Sequence, residues 1–314
     1  MLAFFLRLLA YCGKNNILVE KDGLPEGVRK ILALATAVPG KKDAGSKKPP
    51  EPFLERIGGS MLTRQERLKE KLGFIGEVFS AFITMLRGKA RFRPMDLVLL
   101  IQQCGVQALP IVSLISVLVG LILAFVGAVQ LRLFGAQIYI ADIVGIAAVR
   151  VMGAIMTGII MAGRTGAAFA AQLGTMQTNE EIDALKTMGI SPVEFLVLPR
   201  VIALVVMMPL LCLYADLMGI IGGLIVGIFM LDLNAVEYLQ HTKDVLTMNN
   251  LIVGLVHGLV FGVIVAIVGC LKGIQSGRSA ADVGDATTSA VVSSIINIVI
   301  ATAIITFICE AIKV

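Results

Sequence analysis

From Val98 onward the apolar residues run in long blocks separated by short polar breaks, neither alternating nor recurring every three to four positions. A bilayer core about 30 Å thick is crossed by roughly 20 helical residues. Five blocks meet that length, near Val98 to Leu131, Ile143 to Met176, Val193 to Met230, Leu251 to Leu271 and Ala286 to Ile312. Several exceed it, which predicts tilt or extension beyond the lipid. The short alternating segments of a transmembrane β-barrel are absent, so the pattern predicts an all-α polytopic membrane protein with five transmembrane helices.

Before the first block the pattern is that of an amphipathic helix. From Arg64 to Gly88, the residues Leu68, Leu72, Ile75, Val78, Phe79, Phe82 and Met85 share one stripe, with Arg64, Arg67, Lys69 and Lys71 at its start. That predicts a helix lying on the cytoplasmic membrane face. The alternative is a solvated helix packed on its own protein.

Between the second and third blocks the chain turns abruptly acidic, "GTMQTNEEIDALKTMGISP". Thr178 to Glu181 reads as a T-x-x-E capping box that opens a helix of about nine residues, closed by Gly189 and Pro192. Ile182, Leu185 and Met188 form its narrow apolar face, and Glu180, Glu181 and Asp183 crowd the first turn, where the helix dipole favours them. So short a helix is marginal in water and needs a surface, either the membrane or a partner protein. Its acidic residues argue against an anionic leaflet.

Composition agrees with this picture: 57% of the 314 residues are hydrophobic and 16% charged. The first 100 residues hold 18 of the 27 Lys and Arg. The basic end is therefore expected in the cytoplasm, with the loops around Thr178 and Gly277. The loops near Arg132 and Lys243 and the C-terminus are expected outside. Arg7 interrupts the apolar run of Met1 to Ala10 and no A-x-A pattern follows, so no cleaved signal is read. The five cysteines are dispersed, without C-x-x-C, and only two histidines occur, which predicts neither disulfide nor metal site.

Within the spans, small residues recur at a spacing of four, as in Ser116, Gly120, Ala124 and Ala128, in Ala154 through Gly166 to Gly174, in Ala215, Gly219, Gly223 and Gly227, and in Gly254, Gly258 and Gly262. Such stripes let backbones approach closely, either for ordinary packing or for a contact that slides. Ionisable groups inside spans are Arg150, Arg164, Asp216, His257 and Glu310. No repeating acidic chain or ring-forming motif is present, which argues against proton coupling and ion conduction and suits a lipid-like substrate. Asp216 either lines a cavity or bonds between helices. Arg164 either snorkels and bonds carbonyls or orients the short helix through Glu180 or Asp183. The sequence has no G-x-x-x-x-G-K-[ST], H-E-x-x-H or G-x-S-x-G motif, so no enzymatic site is read and any ATP hydrolysis belongs to another polypeptide.

Pro39 to Pro52, "PGKKDAGSKKPPEP", reads as a linker. The segment before it reads as helix, short strand and helix, and resembles the last third of a STAS domain. Further on, "AGRTGAAFAAQLGTM" (Ala162 to Met176), "EEIDALKTMGISP" (Glu180 to Pro192), "PR" (Pro199, Arg200), "MPLL" (Met208 to Leu211), "ADLMGIIGG" (Ala215 to Gly223) and "GRSAADVGDATTSAVVSS" (Gly277 to Ser294) occur in order. In these motifs the chain resembles the MlaE-type (YrbE-type) permeases of lipid-transporting ABC systems. The resulting layout is a STAS-like α/β remnant over 1–38, a linker over 39–60, an interfacial helix over 61–95 and a permease domain over 96–314.

The resemblance implies a homodimeric permease in a bacterial inner membrane, with a cytoplasmic ABC ATPase beneath, carrying the ATP and Mg, and a periplasmic MCE-domain protein above. It implies no nucleic-acid partner. The implied cargo is phospholipid or a similar apolar lipid moving between inner and outer membranes. The short helix, with Glu180, Glu181, Ile182, Asp183, Leu185 and Met188, becomes the ATPase-coupling helix. Arg164, Gly166, Gly174, Pro199, Arg200, Gly219, Gly223, Gly277 and Gly284 become motif residues, and the "GIQSGRSAADVGDATT" loop a second cytoplasmic contact or a tight turn. Three positions depart from the family's pattern: "RVMGA" carries Val151 where R-E-x-G-P carries Glu, "AQLG" carries Gln172 where A-E-L-G carries Glu, and Thr302 replaces a last-span Asp. The alternative function is a membrane scaffold that anchors partners without moving substrate.

Overall fold

The computed structural model describes residues 53–88 and 93–312, together with Gly27. The expected α/β remnant over 1–38 and most of the expected linker lie outside the described residues. The chain divides after Gln65 into two units, and the larger, Glu66–Val314, is the one described below. Secondary structure among the described residues is helical throughout.

Helix α1 (Phe53–Leu86) begins earlier than expected, so residues 53–60 are helix rather than linker. Then follow α2 (Pro94–Arg132), α3 (Gln137–Thr178), α4 (Glu181–Thr187), α5 (Val193–Leu231), α6 (Ala235–Val245), α7 (Met248–Ile274) and α8 (Ala280–Ile312). Five of these, α2, α3, α5, α7 and α8, are long and apolar enough to cross a membrane. They coincide with the five expected blocks. Proline sets one start: Pro94 opens α2 after the extended Arg93, where its missing N–H costs nothing.

Two helices are irregular where they carry charge. α3 contains two π-turns, Ala148–Met152 around Arg150 and Ala162–Gly166 around Arg164, and α5 opens with a third at Val193–Val197. A π-turn widens the helix by one residue and re-aims its side chains.

The small-residue stripes are used inside one chain. A Cβ on Gly120 would run into the Gly219 carbonyl of α5, and one on Gly222 into the Val117 carbonyl of α2. Gly254 of α7 meets the Val149 carbonyl of α3 in the same way. Gly269 would place its Cβ 2.9 Å from the Gly166 carbonyl, and Gly262 2.9 Å from that of Leu204. Ordinary close packing therefore accounts for the stripes. Gly166 and Gly223 face α7 and Tyr238, so both are internal contacts of the protomer.

One apolar cluster joins α1, α2, α3, α5, α7 and α8, and a second gathers Ala124, Ala128, Ile140, Ala141, Val144, Val226, Leu231 and Tyr238 at the other end of the spans. α6, which the sequence pattern had not revealed, belongs to the second. Its cap is Asn234, whose Oδ1 accepts from the Val236 N–H at 3.0 Å, and Tyr238 is wholly buried. Only 11 residues separate Asn234 from Leu246, too few for a strong periodic signal.

α1 resolves into two apolar faces. Phe74, Val78 and Ala81 are buried in the core, while Leu68, Leu72, Ile75, Phe79, Phe82 and Leu86 form an exposed stripe. The helix is thus both packed on its own protein and left with a face suited to a membrane surface.

Candidate functional site

The loops that follow α3 and α7 lie together and form the first part of the site. α3 ends at Thr178, and Glu180 turns the chain with φ of 61°, so that α4 sets off in a new direction. The expected capping box does not form. Thr178 Oγ1 still donates to the Gly174 carbonyl within α3, and α4 has no side-chain cap. The threonine lies two residues before the observed cap, Glu180, and is satisfied by the preceding helix. The expected C-terminal stop does form. Gly189, with φ of 71°, donates to the Lys186 carbonyl at 3.0 Å while Ile190 donates to the Leu185 carbonyl at 3.0 Å, the Schellman arrangement.

A capping box exists on the neighbouring loop. Ser279 Oγ accepts from the Asp282 N–H at 3.2 Å, and Asp282 Oδ2 accepts from the Ser279 N–H at 3.1 Å. This pair starts α8, and the Asp282 carboxylate packs over Gly277. Gly284 has open space around its Cα and no steric need to be glycine.

Arg278, in the same loop, links the two. Its Nη1 donates to Glu180 Oε1 at 3.2 Å and its Nη2 to Asp183 Oδ2 at 3.2 Å. Lys186 Nζ reaches the other Asp183 oxygen at 3.1 Å. Sequence reasoning missed Arg278, and of the two roles it left open for Arg164, bonding carbonyls or orienting the short helix, the first is the one seen. The only signal for Arg278 was a lone cation in a loop opposite an acidic turn. Arg164 instead donates to the Gln103 carbonyl at 3.0 Å and to Gln107 Oε1 at 3.3 Å, tying α3 to α2.

The apolar face of α4 is also divided. Ile182 is 0% exposed within the chain's own core, Leu185 is half-buried against it, and Met188 is 64% exposed. Ile182 is thus an anchor holding α4 to the spans and is not on offer to a partner. What faces outward is Glu181, Ala184, Lys186, Thr187 and Met188.

Deeper in the spans, Arg200 donates to the Leu196 carbonyl at 2.6 Å and to Gln172 Oε1 at 3.3 Å, and lies over the Phe169 ring at 5.6 Å. Gln172, one of the three departures, therefore still accepts a hydrogen bond. Arg150 donates to Asn250 Oδ1 at 3.0 Å, and Thr302 Oγ1 to the Ile298 carbonyl at 2.8 Å. Gly174 sits where a Cβ would press on Ser276 and Val283. Pro199 is buried.

Asp216 is buried against Gly153, and its Oδ1 has no hydrogen-bond partner. A narrow crevice between α2, α3 and α5 is lined by Ser116, Gly120, Met152, Gly153, Ala215 and Gly219, among others, but Asp216 is not on its wall. The side chain stands behind the glycine. Among the described residues no three His, Cys, Asp or Glu gather as a metal would require.

A family model described as "Permease MlaE" matches residues 97–308. A Rickettsia conorii protein named "Probable ABC transporter permease protein" is 41% identical over 208 residues, covering 65% of this chain and 78% of that one. A Rickettsia prowazekii protein of the same description is 40% identical over 182 residues, 57% of this chain and 70% of its own length. The Haemophilus influenzae "Intermembrane phospholipid transport system permease protein MlaE" is 34% identical over 124 residues, 40% of this chain and 48% of that protein.

Proposed function

The chain belongs to the MlaE permease family, and from that membership we propose that it is the membrane-spanning permease subunit of an ABC transporter, moving phospholipid or a similar apolar lipid between inner and outer membranes. A separate cytoplasmic ATPase drives it by docking on α4, and a periplasmic MCE-domain protein receives or delivers the lipid above a dimer of permeases. The observation that carries the reading is the paired loop: Arg278 joins α4 to the start of α8, so force applied at α4 reaches two spans together. Ile182 supports the same reading, since it fixes α4 to the core and makes the short helix a lever.

The test is purification with the co-expressed ATPase and MCE-domain neighbours. Co-purification, ATP hydrolysis stimulated by the permease and phospholipid in the mass spectrum of the complex are the expected results. A stable assembly that neither stimulates hydrolysis nor carries lipid would make the chain a scaffold.

The same reading fixes topology, with residues 1–95 and the Thr178 and Gly277 loops in the cytoplasm. The Glu180–Arg278 contact supports it by requiring both loops to share a side. A single cysteine at Lys243 should label with an impermeant reagent in spheroplasts, and one at Asn179 should not. Strong outside labelling at Asn179 overturns the orientation.

A further inference from the structure

We propose that the crevice between α2 and α3 holds the phosphate of a phospholipid headgroup. This site is separate from the loops that meet the ATPase. It has a volume of about 290 Å³ and is lined by Gln103, Gln107, Arg164, Thr165, Phe169 and Gln172, among others, with no carboxylate on its wall.

The charge balance calls for an anion. Arg164 is held by two neutral acceptors, the Gln103 carbonyl and Gln107 Oε1. Arg200, behind the wall formed by Phe169 and Gln172, is likewise held by two, the Leu196 carbonyl and Gln172 Oε1, and its buried Nε has no partner. Among the described residues no carboxylate lies within ion-pair distance, 4.0 Å, of either guanidinium. A guanidinium at the edge of the hydrocarbon either reaches water or takes an anion such as a headgroup phosphate. Around Arg164 the chain provides amides only, while Arg200 has Asp96 acting on it from beyond ion-pair distance, so Arg164 is the guanidinium left to take an anion from outside the chain.

The chemistry and the depth both select a phosphate on a lipid. Guanidinium groups match phosphate oxygens in a planar, forked geometry, and the glutamine amides add neutral donors. α3 has 42 residues, about 63 Å at 1.5 Å per residue, roughly twice a 30 Å hydrocarbon core. Arg164, about 21 Å along the axis from Thr178, therefore falls near the boundary between lipid and water. Leu99 and Val106, one turn to either side of Gln103 on α2, are exposed apolar residues along which acyl chains can lie.

The ligand's source rests on the reading of the chain as a lipid permease; the demand for an anion does not. The test uses the purified full chain in detergent and native mass spectrometry with three probes: dioleoylphosphatidylglycerol, dioleoylglycerol, which lacks phosphate, and inorganic phosphate. Phosphatidylglycerol should bind at least tenfold tighter than dioleoylglycerol. Arg164→Gln should weaken it at least tenfold. Gln172→Glu should do the same by supplying an internal carboxylate to Arg200, and because that variant adds an ion pair it keeps the fold testable. Unchanged phosphatidylglycerol binding in both variants overturns the site. Competition by inorganic phosphate without any lipid preference overturns the lipid source and leaves a free-phosphate site. A chain that fails to stimulate an ATPase yet binds phosphatidylglycerol in a Gln172-sensitive way would lose the transporter reading and keep this one.

Discussion

Gly120→Leu should leave almost no folded protomer. The Cβ alone would run into the Gly219 carbonyl, and the reciprocal contact of Gly222 with the Val117 carbonyl leaves α2 and α5 nowhere to retreat. Overpacking a core side chain costs about 1–3 kcal/mol when neighbours can shift. Here the obstacle is backbone in both helices, so the cost exceeds that range and the main α2–α5 contact is lost. The measurement is the monodisperse fraction in detergent and the unfolding midpoint, with Gly163→Leu as control, since a Cβ at Gly163 meets nothing within 4 Å. A monodisperse Gly120→Leu protein with an unshifted midpoint would show that the helices are not packed this closely. Gly223→Leu should behave like Gly120→Leu, because its Cβ would meet the Tyr238 hydroxyl and lie 2.8 Å from Val144.

Met188→Asp should uncouple the protein without unfolding it. Met188 is the exposed apolar residue at the end of α4, and burying such a side chain in a partner's groove is worth about 1.5–3 kcal/mol, or roughly 10- to 100-fold in affinity. The substitution also drives a charge into that groove. ATPase co-purification and permease-stimulated hydrolysis should fall by at least that factor while the unfolding midpoint holds. Ile182→Asp should do the reverse in kind: it places a carboxylate at a wholly buried site and lowers the midpoint itself. Arg278→Glu should retain the fold, because its ion pairs are exposed and each worth only about 0–1 kcal/mol, yet it should lower stimulated hydrolysis by separating the two loops. Normal ATPase binding by Met188→Asp, with binding lost in Arg278→Glu, would make the contact electrostatic and reassign the docking face.

How much was legible differs between spans and loops for a physical reason. A membrane span must satisfy its backbone internally and present apolar side chains over about 20 residues, so the constraint is written along the chain itself. The five spans, their order, the amphipathic α1 and the Gly189 stop follow from local sequence. The capping box at Thr178 did not follow, because a threonine between two helices can accept from an N–H of the next or donate to a carbonyl of the last, and here it donates to Gly174. α6 escaped notice for the same reason as the face of α4: both are short, and their sides are chosen by what they pack on.

The sequence by itself determined the number and place of the spans, the family motifs and the existence of a short acidic helix between the second and third spans, since each depends on residues adjacent in the chain. The tertiary structure alone decided that Ile182 points inward and Met188 outward, that Arg278 rather than Arg164 meets Glu180 and Asp183, that the glycine stripes serve contacts within one protomer, and that Arg164 lines a crevice without a carboxylate on its wall. Those are pairings between residues tens of positions apart, some about 100. A hydrogen bond or close backbone contact at that separation is set by how whole helices pack, and no local pattern of side chains encodes it.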